Sequence, residues 1–147
     1  MADHIKEKID FIVYTSAIEH MQYKDGKKSL QECGKVAKKG AYMFLSCPNT
    51  PEDQDGFDVQ YKAHVYEWKL SELRKEVSQA GFLIQQEIGL IGNLNDFKKN
   101  ILDRLPSQFR KWYDDLIDYI PREFLTPMLF VSSPSMAKEV LLICRKK

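Results

Sequence analysis

The chain has 147 residues, a length typical of a single domain. Hydrophobic residues make up 44% of it and charged residues 29%, which excludes the disordered, collagen-like and fibrous classes. The 22 Lys and Arg residues are balanced by 21 Asp and Glu residues, so no strong positive field favours nucleic acid or anionic lipid as a partner.

The cysteines and the amino-terminal residues indicate where in the cell the protein is expected. Cys33, Cys47 and Cys144 are far apart, form no CxxC pair and have no His at ligand spacing, so we expect reduced thiols and no metal site. The amino-terminal segment resembles neither a signal peptide nor a transit peptide. No apolar stretch reaches the roughly 18 residues of a membrane helix. We therefore expect a cytoplasmic protein with no membrane contact.

Apolar runs and helical periodicity alternate in the first two thirds of the chain. They predict strand 9–15, helix 26–40, strand 41–47, helix 70–81 and strand 82–91, with a polar loop over 50–62. Gly40 and Gly81 stand where the carboxyl-terminal glycine of a helix is common. This βαβαβ pattern predicts a largely parallel α/β sheet covered by helices.

The last third has a different pattern. Apolar residues at helical spacing predict one helix over 94–105 and a second over 109–120, which ends before Pro121. Two prolines predict a loop over 122–136, and the apolar run 139–145 predicts the last strand. We therefore predict one domain over residues 1–147, with residues 93–136 as a helical insert.

Three blocks of sequence carry a resemblance. They are DFIVYTSAIEHM (10–21), LQECGKVAKKGAYMFLSCPN (30–49) and HVYEWKLSELRKEVSQAGF (64–82). In this order and spacing they resemble the fourth strand, the fifth strand with its preceding helix, and the approach to the sixth strand of class I S-adenosylmethionine-dependent methyltransferases. That family has a seven-stranded Rossmann-like domain. The resemblance implies an α/β fold that contains a partial sheet of strands 4-5-7-6.

The chain lacks the other half of the family pattern. In the family, a glycine-rich loop and an acidic residue that hold the cofactor precede the strand matched by Asp10, and here only nine residues precede it, with no GxG motif anywhere. The resemblance thus implies a truncated methyltransferase domain. We expect it to bind S-adenosylmethionine only with a complementing half and to be inactive alone.

The missing strands have a consequence for assembly. Without strands one to three, the strand Ile9–Thr15 is an apolar sheet edge, and such an edge is a template for pairing with another chain. We expect it to pair with a second copy or with a polypeptide that carries strands one to three. A fragment of a longer gene is a third alternative.

The resemblance implies a site at the carboxyl ends of the strands. The predicted residues are Thr15, Ser16 and Glu19 for the cofactor, His20 and His64 for catalysis, and Asn49, Trp112 and Tyr113 for the acceptor. A neutral imidazole can accept a proton at neutral pH, and methyl transfer needs little beyond positioning and removal of that proton. Structural roles remain alternatives: a capping Glu19, packed histidines, a turn-stabilising Asn49 and an ordinary aromatic core.

The functional prediction is therefore a methyltransferase half-domain. It would supply the acceptor side of the active site, for a small-molecule acceptor rather than nucleic acid. The alternative is a non-catalytic interaction or regulatory protein that keeps part of the fold and binds a protein partner through strand 9–15 or the insert.

Overall fold

The computed structural model describes residues 7–59, 61–100, 102–104 and 106–147. Within these residues the elements are β1 (Ile9–Thr15), α1 (Tyr23–Val36), β2 (Ala37–Pro48), α2 (Leu70–Gln79), β3 (Phe82–Gly92), α3 (Leu94–Asn100), α4 (Ser107–Tyr119), α5 (Arg122–Phe130) and β4 (Ala137–Lys146). Short 3-10 turns precede α1, follow α3 and precede β4. None of the described helices is long and apolar enough to cross a membrane.

The four strands form one sheet in the order β1-β2-β4-β3. β1 and β2 pair in parallel, whereas β4 is antiparallel to both of its neighbours, β2 and β3. Three strands therefore run in one direction, and β4 lies between two of them in the opposite direction. This arrangement confirms the predicted α/β class and the predicted strand order.

One face of the sheet forms the core. Cross-strand pairs such as Met43 with Cys144 and Leu45 with Leu142 are fully buried, because α1 and α2 cover them. Tyr14 on β1 also points to this side, where its hydroxyl is hydrogen-bonded to Ser29 of α1. The first βα unit is therefore packed as an α/β domain requires.

The opposite face is largely exposed at β1 and β2, and we call it the open face. It is formed by Phe11, Val13, Tyr42, Phe44 and Leu83, which cross-strand pairing places on one side. Phe11 is 51% exposed and Val13 64% exposed. Because sheets with parallel strands are normally buried on both faces, the open face is an apolar surface that lacks a covering layer among the described residues.

The boundary between α1 and β2 differs from the prediction. The helix ends at Val36, and Ala37 already has extended backbone angles. Gly40, predicted as the helix-terminating glycine, instead lies within β2 at a φ of +83°, where the register against β1 is irregular. The pattern was misleading because a left-handed glycine fits a strand bulge as well as a helix end.

The predicted loop over 122–136 is wrong in its first part. Residues Arg122–Phe130 form α5, which contains Pro127 and follows Pro121 at the amino-terminal cap position. A single internal proline removes one helical hydrogen bond, and burial of Leu125 and Phe130 offsets that loss. Of the predicted helix 94–105, α3 and a 3-10 turn are described, whereas Ile101 and Leu105 lie outside the described residues.

The contact between α1 and α2 depends on Gly34. A Cβ atom at this position would lie 2.1 Å from the carbonyl oxygen of Ala80, at the end of α2. We expect Gly34→Ala to lower the free energy of unfolding by about 2 kcal/mol, because overpacking outweighs the gain in helix propensity. Gln31→Ala, at an exposed position of α1, is the matched control and should change stability by less than about 0.5 kcal/mol. Urea denaturation of both variants measures this, and a Gly34→Ala protein as stable as the parent would contradict the packing.

Candidate active site

A long loop over 51–68 is closed at its base by Thr50. The Thr50 backbone N–H donates to the carbonyl of Trp68 at 2.9 Å, and its hydroxyl donates to the carbonyl of Glu67 at 3.1 Å. Thr50 also forms a parallel bridge with Lys69. The loop therefore leaves the carboxyl end of β2 and returns beside it, so the end of the loop stays near the sheet edge.

An aromatic cluster holds the returning segment of this loop. Trp68 is completely buried and stacks on Tyr23 of α1, with ring centroids 4.8 Å apart, and it meets Tyr66 edge to face at 5.5 Å. Gly26 makes room for the indole, since a Cβ there would lie 2.7 Å from it. Buried aromatic area of this kind fixes the path of residues 64–68.

The loop brings two distant histidines together. His20 ends the 3-10 turn after β1, His64 lies in the loop, and their ring centroids are 5.3 Å apart in an edge-to-face arrangement. The backbone carbonyl of Glu19 accepts hydrogen bonds from Val65 at 2.8 Å and Tyr66 at 3.2 Å. These main-chain bonds fix the spacing between the turn and the loop.

Both imidazoles are oriented through Nδ1. His64 Nδ1 lies 2.6 Å from a carboxylate oxygen of Glu67, and His20 Nδ1 lies 2.9 Å from the carbonyl oxygen of Ala63. An ionised carboxylate and a carbonyl can only accept, so each Nδ1 carries the proton. In the neutral imidazole this leaves the Nε2 lone pair of each histidine free to accept a proton or bind a cation.

Two buried carboxylates accompany the histidines. Glu19 is 2% exposed and Glu67 is 4% exposed. Glu67 is hydrogen-bonded to His64, but Oε2 of Glu19 is buried without a hydrogen-bond partner in the described part of the chain. Burying a carboxylate oxygen without a hydrogen-bond partner is costly, so Glu19 is a candidate for contact with a ligand.

The turn between β1 and Glu19 is strained. Ser16 has a φ of +47°, in the left-handed region that non-glycine residues seldom adopt, and its N–H donates to the carbonyl of Ser46 at 3.0 Å. Thr15 and Ser16 are both exposed at the carboxyl end of β1. Strain of this kind often occurs at ligand-binding positions, and contact of Thr15 and Ser16 with a cofactor stays a prediction.

Asn49 lies at the end of β2, on the side of the site next to β4. Its side-chain amide donates to the carbonyl of Ala137 at 2.8 Å, and this bond fixes the start of β4 next to the end of β2. Asn49 and His64 also line one cleft of about 290 Å³. The remaining walls of that cleft are Pro48, Tyr61, Glu67, Ile91, Lys138 and Glu139.

The two predicted aromatic acceptor contacts lie elsewhere. Tyr113 is buried in α4 and its ring stacks on Phe97 at 5.8 Å, so it contributes to the packing of the helical segment. Trp112 is 59% exposed. Neither residue lines the cleft of Asn49 and His64, and their binding of an acceptor stays a prediction.

Glu67 was not among the site residues predicted from the sequence. The histidine and this glutamate are three residues apart, but they lie in an irregular loop, where such spacing has no fixed meaning. The 43 residues between His20 and His64 likewise conceal their contact, because closure of the loop by Thr50 and Trp68 brings the two histidines together. The burial of Glu19, with Oε2 unpaired within the described part of the chain, likewise cannot be recognised from sequence.

Comparison with known proteins defines the fold. No protein-family model matches the sequence, and no curated protein matches it. Among solved structures, an S-adenosylmethionine-dependent methyltransferase from Thermotoga maritima is 13% identical, with a TM-score of 0.56 over all of this chain and 62% of that chain. One from Archaeoglobus fulgidus is 15% identical, with a TM-score of 0.55 over 95% of this chain and 60% of that chain. The chain therefore has a methyltransferase fold.

Coverage and function both vary among these structures. The chain spans between 33% and 69% of the lengths of the solved structures it resembles. They include the [4+2]-cyclase SpnF, 16% identical, with a TM-score of 0.56 over 99% of this chain and 53% of that chain. The fold by itself therefore does not fix the reaction.

Tyr66 links the loop to α2 and has a perturbed hydroxyl. It donates to the Glu72 carboxylate at 2.8 Å, and burial, followed by this carboxylate, raises the pKa of Tyr66 well above its ordinary value of 10. The folded state thus retains a proton that the unfolded state loses at a lower pH. Because of this difference, the free energy of unfolding decreases as the pH rises in the alkaline range.

We expect the free energy of unfolding to fall as the pH rises above about 10, by about 1.4 kcal/mol per pH unit for each retained proton. Tyr66→Phe should make this slope shallower, although it also lowers stability at neutral pH by removing a hydrogen bond. Tyr119→Phe, at a position 85% exposed, is the control and should leave the slope unchanged. Urea denaturation between pH 8 and pH 11 measures the slopes, and equal slopes for the parent and Tyr66→Phe would contradict the assignment.

Proposed function

We propose that this chain is the acceptor-side part of an S-adenosylmethionine-dependent methyltransferase. A segment that carries family strands one to three and the glycine-rich loop would complete it, in the same polypeptide or in another. The observation that carries the proposal is the sheet β1-β2-β4-β3, which corresponds to strands 4-5-7-6 and leaves β1 as an apolar edge. S-adenosylmethionine would bind only to the completed domain.

The histidine and carboxylate geometry supports a role in proton removal. Glu67 holds the Nδ1–H of His64 at 2.6 Å, so Nε2 is the basic nitrogen, and His64 lines the cleft. Bound S-adenosylmethionine would supply the methyl group to a lone pair of the acceptor and would leave as the thioether, while the residues of this chain would position the acceptor and take up its proton. The proton of the acceptor passes to Nε2 of His64, a transfer that a correctly oriented imidazole catalyses near neutral pH.

The other site residues have supporting roles in this proposal. Thr15, Ser16 and Glu19 would contact the cofactor from the strained turn after β1, and Asn49 would contact the acceptor in the cleft. His20 lies beside His64 and would assist it. A cleft of about 290 Å³ is near the lower limit of ordinary ligand sites, which favours a small-molecule acceptor over nucleic acid. Trp112 and Tyr113 would contribute only if the helical insert over residues 93–136 closes over the cleft.

The partner surface in this proposal is β1 together with the open face. Phe11 and Val13 project from the free edge strand, and Tyr42 is 42% exposed next to them. The complementing half would pair with the edge of β1 and cover this apolar surface. Without that half, a second copy of the chain would pair through β1, and we place either assembly in the cytoplasm.

A non-catalytic interaction protein is the second candidate. The same open face favours it, since a protein partner of any kind could cover exposed aromatic and aliphatic side chains. In that case the histidine cluster would be a remnant with a structural role. The two candidates differ in whether His64 affects a reaction.

Binding of the cofactor is the first test. We expect calorimetric titration of S-adenosylmethionine and S-adenosylhomocysteine into the chain alone to give no binding at micromolar concentrations, because the glycine-rich loop is missing. Light scattering on the same sample should give at least twice the mass of one chain, since β1 is exposed. Micromolar binding to the isolated chain would contradict the half-domain proposal.

Mutation separates the two candidates in the completed protein. We expect His64→Ala to lower kcat by about 100-fold or more while the complex still forms, because only a general base is lost. Val13→Lys should instead weaken assembly, since it places a charge on the apolar edge strand. Lys24→Ala, at an exposed position on α1, is the control for both measurements. Full activity of His64→Ala together with loss of assembly in Val13→Lys would support the interaction protein.

A further inference from the structure

We propose that Glu19, His20 and His64 form a binding site for a divalent transition-metal ion. One ligand atom from each of the three residues lies within 4.8 Å of the other two. No metal site was predicted from the sequence, because these residues come from the turn after β1 and from the distant loop. The inference goes beyond methyl transfer, since it requires neither S-adenosylmethionine nor a partner.

The donor set is one that transition metals use. Two imidazole nitrogens and one carboxylate oxygen bind zinc in hydrolytic enzymes and non-haem iron in oxygenases, with further positions left for water or substrate. Ligand atoms around a tetrahedral zinc ion lie about 3.4 Å apart, for metal–ligand distances of about 2.1 Å. The ligand atoms lie within 4.8 Å of one another, so they would have to approach by about 1.4 Å at most when the ion binds.

Both histidines already have the outer hydrogen bonds of metal ligands. His64 Nδ1 donates to Glu67 at 2.6 Å and His20 Nδ1 donates to the Ala63 carbonyl at 2.9 Å. Such bonds fix the tautomer that presents Nε2 and increase the basicity of the ligand. A carboxylate behind one histidine and a carbonyl behind the other are common outer partners in metal sites.

The buried negative charge near the histidines is an independent reason to expect a bound cation. Oε2 of Glu19 is buried without a hydrogen-bond partner among the described residues, and the residue is 2% exposed. A second carboxylate, Glu67, is buried on the far side of His64. A divalent cation between Glu19 and the imidazoles would pair with the buried carboxylate and offset its desolvation cost.

A bound metal would change the role of His64. An imidazole that binds a metal through Nε2 cannot also accept a proton there. His64 would then be a ligand, and the metal would polarise an oxygen of the molecule in the adjoining cleft instead. Oxygen-containing acceptors are therefore the ligand class that this site would favour.

The test uses the chain alone with Co²⁺ as a spectroscopic probe and Zn²⁺ as a competitor. We expect visible absorption bands of bound Co²⁺ that Zn²⁺ abolishes, and a thermal midpoint that rises with Zn²⁺ concentration. His20→Ala, His64→Ala and Glu19→Gln should each abolish the bands at micromolar Co²⁺. Glu67→Gln should weaken binding by about 10- to 100-fold, as expected for an outer hydrogen-bond partner.

The controls separate this site from other donors and from unfolding. His4→Ala changes the third histidine, and Cys33→Ser changes the partly exposed thiol, so both should bind like the parent. Glu19→Gln is nearly isosteric and removes an unpaired buried charge, so its metal-free circular dichroism and thermal midpoint should match or exceed those of the parent. Absence of Co²⁺ binding by the parent, or binding retained in His20→Ala and Glu19→Gln, would overturn the proposal. Neither result depends on whether the chain methylates anything.

Discussion

The burial of Trp68 is the constraint on which the rest of the site depends. The indole is completely enclosed between Tyr23, Tyr66 and the space left by Gly26, so the chain just before it has a fixed path. Thr50 closes the base of the same loop through the carbonyls of Glu67 and Trp68. A packed aromatic residue at the end of the loop thus fixes the path of the chain around His64 and Glu67.

The same constraint explains why polar groups are tolerated inside the site. The backbone of Glu19 accepts hydrogen bonds from Val65 and Tyr66, which ties the turn after β1 to the loop. This contact buries two carboxylates and leaves one oxygen of Glu19 unpaired among the described residues. Protein interiors seldom retain such groups without a reason, and both a cofactor and a metal ion would supply one.

The two faces of the sheet differ in how well they are covered by the described residues. One face is packed by α1 and α2, whereas the other exposes Phe11 and Val13 on β1 and Tyr42 on β2. Sheets with parallel strands are normally covered on both faces, so the open face and the edge of β1 are the surface to which the proposed partner would bind.

Sequence patterns predicted most of the elements but not all of their limits. The strand Ile9–Thr15 was predicted with its observed limits, because a continuous apolar run between polar residues is a strong strand signal. Gly40 was misread because a left-handed glycine is compatible with a helix end and with a strand bulge. The helix α5 was missed because Pro127 is a local signal against helices, and burial of Leu125 and Phe130 overrides it.

The sequence by itself determined the fold class, the strand order and the identity of several candidate residues. These three features follow from the local periodicity of apolar residues and from family motifs that can be recognised within short segments. Only the tertiary structure decided that His20 and His64 meet, that Glu67 orients His64, and that Oε2 of Glu19 is buried without a hydrogen-bond partner among the described residues. Such contacts join residues far apart in the chain, and they result from loop closure and aromatic packing, which leave no periodic signal in the sequence.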